Sequence, residues 1–192
     1  PLKGEDLASC LDALPHLYRA MDMTNFPRVS LQILNALIPT ATFSSYNEVD
    51  MRSGGARIFL GPESYGERVE RCKPALWNYR AQHPIMARFE SGLHDGVWKI
   101  SDFLDAESLH GLEIYAHALA EMGIEDTLSL TLQSNEALKV FYAISGPQNF
   151  TERDRAVLTR LQPHFAQAFE NAIAFTRARA LSLLSTSAIG DA

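Results

Sequence analysis

The chain has 192 residues, 46% hydrophobic and 21% charged, which suits one soluble domain with a sizeable core and argues against disorder. Its 17 basic and 23 acidic residues leave a formal net charge of −6, the wrong sign for the basic face on which nucleic-acid binding depends. Cys10 and Cys72 lie far apart with no disulfide or zinc spacing, and no apolar run approaches a bilayer span, so a reducing cytoplasm is the expected setting.

Taken in chain order, Leu7, Leu11, Leu14, Leu17, Tyr18 and Met21 follow a 3.6-residue period and predict a helix over 5–25, with Pro15 as a point of kinking or breakage. Pro27 opens a second helix at a position where its missing N–H costs nothing, and Pro39 ends it. Thr42 to Val49 reads as a strand, Asp50 to Gly55 as its turn, and Ala56 to Leu60 as the returning strand of a hairpin. A helix is predicted over 66–80. Residues 83–104, punctuated by His83-Pro84, Ser91-Gly92 and Asp95-Gly96, read as loop with short inserted elements, including a strand over 97–101. A further helix is expected over 105–122, stopped by Gly123.

Thr127 to Leu132 alternates leucines with small hydroxyl residues, and Leu138 to Ser145 is its hairpin partner. Thr151-Glu-Arg-Asp154 has the pattern of a capping box, with Asp in place of the usual Glu or Gln, and opens a long helix over 151–176. Residues 177–192 lose the apolar pattern and read as a linker. Antiparallel strands interrupted by helices argue for an α+β layer structure with a sheet of about five strands.

Chemistry-bearing patterns are sparse. His110, Glu113 and His117 share one helix face at i, i+3 and i+7, looser than the spacing of helical metal motifs. His83, His94 and Asp95 flank the irregular region, but no G-x-S-x-G turn supplies a nucleophile. Cys72 sits between Arg71 and Lys73 without a partner signature. Ser53-Gly-Gly55 lacks the length and the lysine of a phosphate loop. No catalytic residue, metal ligand or cofactor is expected.

Aromatic placement is more informative. Tyr46, Trp77, Tyr79, Phe89, Trp98, Phe103 and Tyr115 gather in one half of the chain among His83, His94 and Asp102, a mixture that suits a mostly apolar pocket with a few polar anchors. The small face of Thr127, Ser129 and Thr131 either leaves space for a cavity or meets solvent. The candidate ligand contacts are Tyr46, Tyr79, His83, Trp98, Tyr115, Ser129 and Thr131. The seam of the last helix is wide enough to serve both its own core and a second copy. Leu158, Leu161, Phe165 and Phe169 are its candidate homodimer contacts.

Ile100-Ser-Asp-Phe-Leu104, Gly123-Ile-Glu-Asp126, the strand pair, and Phe150-Thr-Glu-Arg-Asp154 leading to Leu161-Gln-Pro-His164 occur here in that order. In this the chain resembles the GAF-like N-terminal sensor domain of bacterial LuxR-type helix-turn-helix transcriptional regulators, most strongly from about 83 to 174. The resemblance implies a GAF/PAS-like fold over 1–176, with a central antiparallel sheet and terminal helices on one face. Pocket helices and loops would then cover the other face. N-terminal helices would occupy 5–39, sheet and pocket 42–146, and the long helix 151–176. It also implies a ligand-sensing and dimerisation role, with DNA bound only through a module outside this chain. The absence of an initiator Met before Pro1 agrees with a fragment of a longer regulator. A ligand-free dimerisation domain with a side-chain-filled cavity is the alternative. The aromatic and aspartate spacing of the acyl-homoserine-lactone receptors in that group is not evident, and a small enzyme is the remaining reading.

Overall fold

A computed structural model describes residues 2–91 and 96–190, with side chains as far as Ser185. His94 and Asp95, singled out above, lie outside the described residues. Two helices come first, α1 (Gly4–Arg19) and α2 (Phe26–Leu37). Pro15 is carried inside α1 without breaking it, and α2 begins with Pro27 in its first turn, as the sequence predicts. The hairpin follows as β1 (Phe43–Asp50) and β2 (Ala56–Gly61), then α3 (Gly66–Asn78). The irregular region holds the short helix α4 (Pro84–Glu90), the three-residue strand β3 (Val97–Lys99) and one 3₁₀ turn, Ile100–Asp102.

The helix expected over 105–122 is broken. It begins as α5 (Ala106–His110), resumes as a π-helical stretch, Tyr115–Leu119, and ends in α6 (Ala120–Met122). At the break the N–H of Ile114 donates to Gln82 Oε1 at 3.1 Å, so a side chain from another segment takes a bond that a continuous helix would make internally. Gly123 then stops the chain in the left-handed region at φ 69°, in its expected role.

Strands β4 (Asp126–Ser134) and β5 (Leu138–Gly146) complete a five-stranded antiparallel sheet of order β2-β1-β5-β4-β3. The final helix, α7 (Glu152–Gly190), runs 39 residues, about 58 Å. Its start is the capping box anticipated at Thr151 and Asp154: Asp154 Oδ2 accepts from Thr151 N at 2.9 Å and Thr151 Oγ1 accepts from Asp154 N at 3.2 Å. The segment 177–190, expected as part of a linker, continues this helix, because neither Pro nor Gly interrupts it before Gly190.

The sheet has two unlike faces, set by the two-residue period of its strands. Leu128, Leu130, Val140, Tyr142 and Ile144 point toward α1, α2 and α7, where they form the larger core with Phe26, Leu34, Leu161 and Phe165. The opposite face carries Ser45, Asn47, Thr127, Ser129, Ala143 and Ser145, and the layer above it is built from α3, α4 and the α5–α6 segment. Terminal helices on one face and covering helices on the other is the arrangement that the resemblance implies.

The expected dimer seam takes a different role. Leu158, Leu161, Phe165 and Phe169 are at most 2% exposed in the single chain, and Phe165 packs edge-on to Tyr142 with ring centroids 5.5 Å apart. These residues are spent on the chain's own core and leave nothing to offer a second copy. Apolar side chains that do face outward are Leu7, Leu11 and Tyr18 on α1, Met21 just after it, and Phe175, Leu181, Leu183 and Leu184 on α7. Replacing Phe165 with Ala should cost about 3–5 kcal/mol in urea unfolding and leave the sedimentation mass unchanged, whereas a seam residue would alter the mass.

Candidate functional site

Between the small-residue face of the sheet and the helices above it lies a cavity of about 240 Å³. The middle of its floor is the row of serines, Asn47, Thr127 and Ala143, too short to reach the covering helices, and larger side chains of the sheet such as Phe43, Ile58 and Phe141 flank it. Most of that floor is satisfied internally. Thr127 Oγ1 and Ser145 Oγ are 3.0 Å apart, and Asn47 Nδ2 donates to Ser45 Oγ at 2.9 Å. Ser129 is the exception: its hydroxyl is buried and meets no hydrogen-bonding partner among the described residues. A hydroxyl left in that state is destabilising, and its presence in the wall of a cavity marks a position where a further group is accommodated.

The covering wall brings Val69, Leu76, Ile85, Ile114 and Leu119 down from the helices, with Trp77 and His83 among them. Trp77 closes the end near the β1–β2 turn. Gly54 sits beneath it at φ +72°, where a Cβ would come within 2.7 Å of the indole, so only glycine fits the turn in this position. Arg80 lies over the indole, its guanidinium carbon 4.2 Å from the ring centroid.

His83 occupies the position before Pro84 at the start of α4. Its Nδ1 is shielded from solvent and bonded to nothing among the described residues, and burial pushes the imidazole down to about 4 from the ordinary 6.5. The ring is therefore neutral near pH 7 and can either donate or accept at Nδ1, according to its tautomer.

His83 and Ser129 are thus the sequence candidates that the fold brings to the cavity. The others are placed elsewhere. Tyr46 points to the opposite face of the sheet, because Phe43, Ser45 and Asn47 take the cavity side of β1 and the strand alternates; its ring packs among Phe26, Phe59 and Tyr142, and its hydroxyl donates to Glu48 at 2.9 Å. Trp98 lies on the cavity side of the sheet, opposite Ser129 in register. It is part of the packing at the sheet edge and outside the wall, under the guanidinium of Arg88 at 4.0 Å and against Phe103. Tyr79 stacks on His117 with centroids 5.5 Å apart and is outside the wall, between its residues Trp77 and Arg80. Tyr115 donates to Glu125 at 2.6 Å, while its neighbour Ile114 takes the wall position. Thr131 faces Phe141 across the strands and lies beyond the floor.

Conversely, Ser45, Asn47, Ala143 and Ser145 were not singled out in the sequence, although period-two reading of β1 and β5 would have placed them on the same face as Thr127 and Ser129. His110 and His117 do not converge, because the break in the helix sends them to different carboxylates: His110 Nε2 is 2.7 Å from Glu125 and His117 Nε2 is 3.1 Å from Glu113.

The segments that resemble the regulator family act as connectors around this site. Asp126 is fully buried and accepts from Ser101 N, Ser101 Oγ, Thr127 N and Phe150 N at 2.7–3.1 Å. Asp102 accepts from Lys99 N at 2.8 Å and pairs with Arg155 of α7. Lys99, also buried, donates through Nζ to Phe150 O at 3.0 Å and to Glu152 at 2.9 Å.

No family model matches the sequence, and no curated protein does. Solved structures match in fold. The chain is similar to the LBD domain of VqsR from Pseudomonas aeruginosa, with a TM-score of 0.63 and 17% identity over 89% of this chain and 96% of that one. It is also similar to CepR2 from Burkholderia cenocepacia, an N-acylhomoserine lactone dependent LuxR family transcription factor, with a TM-score of 0.54 and 18% identity over 93% and 99% of the two chains. At these identities the likeness establishes a shared α+β architecture, the one that the resemblance in sequence implies. None of the described helices is long and apolar enough to cross a membrane.

The depressed imidazole has a signed consequence for stability. Between pH 6.5 and 4 the unfolded chain binds a proton at His83 that the folded chain refuses. Stability contributed by this group is therefore full above pH 6.5 and lost as the pH falls toward 4, by at most about 3 kcal/mol. Urea midpoints measured across that range should fall more steeply in the parent than in His83→Gln.

Proposed function

We propose that this chain is the small-molecule-sensing regulatory domain of a LuxR-type transcriptional regulator, working in the cytoplasm on a DNA-binding module carried elsewhere in the full protein. The observation that carries this reading is the joint presence of a cavity and of two polar atoms, Ser129 Oγ and His83 Nδ1, buried in its wall without partners. A domain kept for packing alone gains nothing from a floor of serines under apolar helices, since protein interiors otherwise fill to near-crystalline density. The ligand dependence stated for CepR2, which has a similar fold, supports a small organic ligand with an apolar body and a polar head.

Signalling follows by population shift: a ligand that prefers one packing of α3, α4 and the α5–α6 segment biases whatever is mechanically joined to them. The joint is polar. The 3₁₀ turn after β3 is tied to β4 and to the approach of α7 through Asp126, and to α7 itself through Asp102 and Arg155. Because α6 runs through residues 123–125 into Asp126, a change in the covering layer reaches these ties and the helix that leaves the domain.

The chain acts as a homodimer through surfaces other than the core seam. Contacts between Asp6 and Arg153, Tyr18 and His164, and Met23 and Thr176 run in the same order along both helices, so α1 and α7 lie side by side and parallel. Their outward residues Leu7, Leu11, Tyr18 and Met21 lead on to Phe175, Leu181 and Leu184 in the projecting part of α7. Covering such a stripe with a second copy removes it from water.

Two measurements test these statements. Native mass spectrometry and thermal shift on the purified chain should reveal a copurified or library compound that raises the melting temperature. Ser129→Ala should keep or slightly raise the stability of the unliganded protein, by up to about 1 kcal/mol, while losing most of the ligand-induced shift. A compound-free protein that responds to nothing returns the domain to the ligand-free dimerisation reading. In analytical ultracentrifugation, Leu181→Glu with Leu184→Glu should yield a folded monomer; a parent that is already monomeric at micromolar concentration rejects the dimer.

A further inference from the structure

The overall charge and the charge of the cavity have opposite signs. The chain carries six more acidic than basic residues, yet among the described residues the cavity wall holds Lys73 and Arg80 and no aspartate or glutamate. Each cation is accompanied by a carboxylate outside the cavity wall, that of Lys73 standing largely in solvent. Glu70 takes Lys73 Nζ at 2.5 Å with 65% of its side chain exposed, and Glu90 takes Arg80 Nε at 3.0 Å. Arg80 is held at the wall by the face of Trp77 and by the hydrogen bond that its Nη1 donates to Trp77 O at 3.0 Å.

We propose that the cavity selects a compact organic anion, a carboxylate on an apolar body. This narrows the sensing reading above and rests on it. The Lys73–Glu70 pair has its carboxylate in solvent and is worth little, so Lys73 exchanges it for a carboxylate inside the cavity at small cost, while Arg80 stays fixed on Trp77 as a second positive charge. The attraction grows inside, where apolar walls replace water around the pair. The same walls exclude a cationic ligand, which would find no carboxylate to pair with and would be desolvated alone. His83, neutral at pH 7, places no opposing charge in the site, and Ser129 supplies a hydroxyl donor that an acceptor-rich head satisfies. Size sets a further limit. At the packing density of protein interiors, the cavity admits roughly ten non-hydrogen atoms.

Phenylacetate and its neutral isostere phenylacetamide match that size and differ in charge. Isothermal titration of the full chain should give an affinity for the acid higher than for the amide by roughly tenfold or more. Lys73→Gln combined with Arg80→Gln should reduce the acid to near parity with the amide and leave the amide unchanged, and Ser129→Leu, which fills the floor, should abolish both. Circular dichroism and melting temperature confirm that each variant folds. Equal affinities in the parent, or a preference for the acid that survives the double variant, overturn anion selection while leaving a small-molecule sensor in place. Failure of both compounds to bind at millimolar concentration also overturns it. If, in addition, nothing copurifies and no library compound shifts the melting temperature, the sensing reading falls with it.

Discussion

Everything distinctive about this domain depends on a sheet whose two faces carry side chains of different volume. Leu128, Leu130, Tyr142 and Ile144 reach far enough to interdigitate with α1, α2 and α7, and the result is a close-packed core. Thr127, Ser129, Ala143 and Ser145 occupy the same strands one residue out of phase and stop well short of the helices above them. Because a strand alternates strictly, neither face can be altered in register without exchanging the two. The cavity is thus a consequence of strand chemistry, and its depth is set by how little a serine or alanine fills.

The covering layer packs on the sheet where Phe43, Ile58, Leu60 and Phe141 flank the short residues, and polar connectors join the segments at the margin. Asp126 gathers the turn after β3, the start of β4 and the entry to α7 around one buried carboxylate. Lys99 and Arg155 add charge-assisted bonds between the same segments. Removing any one partner of such a buried set leaves the others unpaired, which is why these segments hold a common geometry while the cavity beside them stays open. The covering layer meets this set along the chain, since α6 runs through residues 123–125 into Asp126, the mechanical condition for the signalling route proposed above.

Much of the architecture was legible before any coordinates. Period-3.6 and period-2 patterns located α1, α2, the two hairpins and the start of α7, although α1 ends at Arg19 and not at residue 25. The departures each have a tertiary cause. The 105–122 helix breaks because Gln82, distant in sequence, captures the N–H of Ile114. Tyr46 belongs to the aromatic group that suits a pocket, but Phe43, Tyr46 and Val49 fall on both faces of β1, and nothing local states which face is closely packed and which meets a cavity. Trp98 sits beside the right strand but under Arg88, so a tryptophan that looked like a pocket wall seals the edge of the sheet. Leu158, Leu161, Phe165 and Phe169 formed a seam wide enough for two uses, and the packing of α1, α2 and the sheet consumed it.

By itself, the sequence determined the element order, the α+β class and the leucine-versus-hydroxyl alternation of β4, since these follow from steric periods and turn chemistry acting over a few residues. Only the tertiary structure decided which alternate residues line the cavity and that His83 and Ser129 meet there. It also decided that Trp77 and not Trp98 closes the cavity, and that the outward apolar stripe lies on α1 and the end of α7. Those outcomes depend on which side of each element is covered, and burial is a property of neighbours brought from elsewhere in the chain.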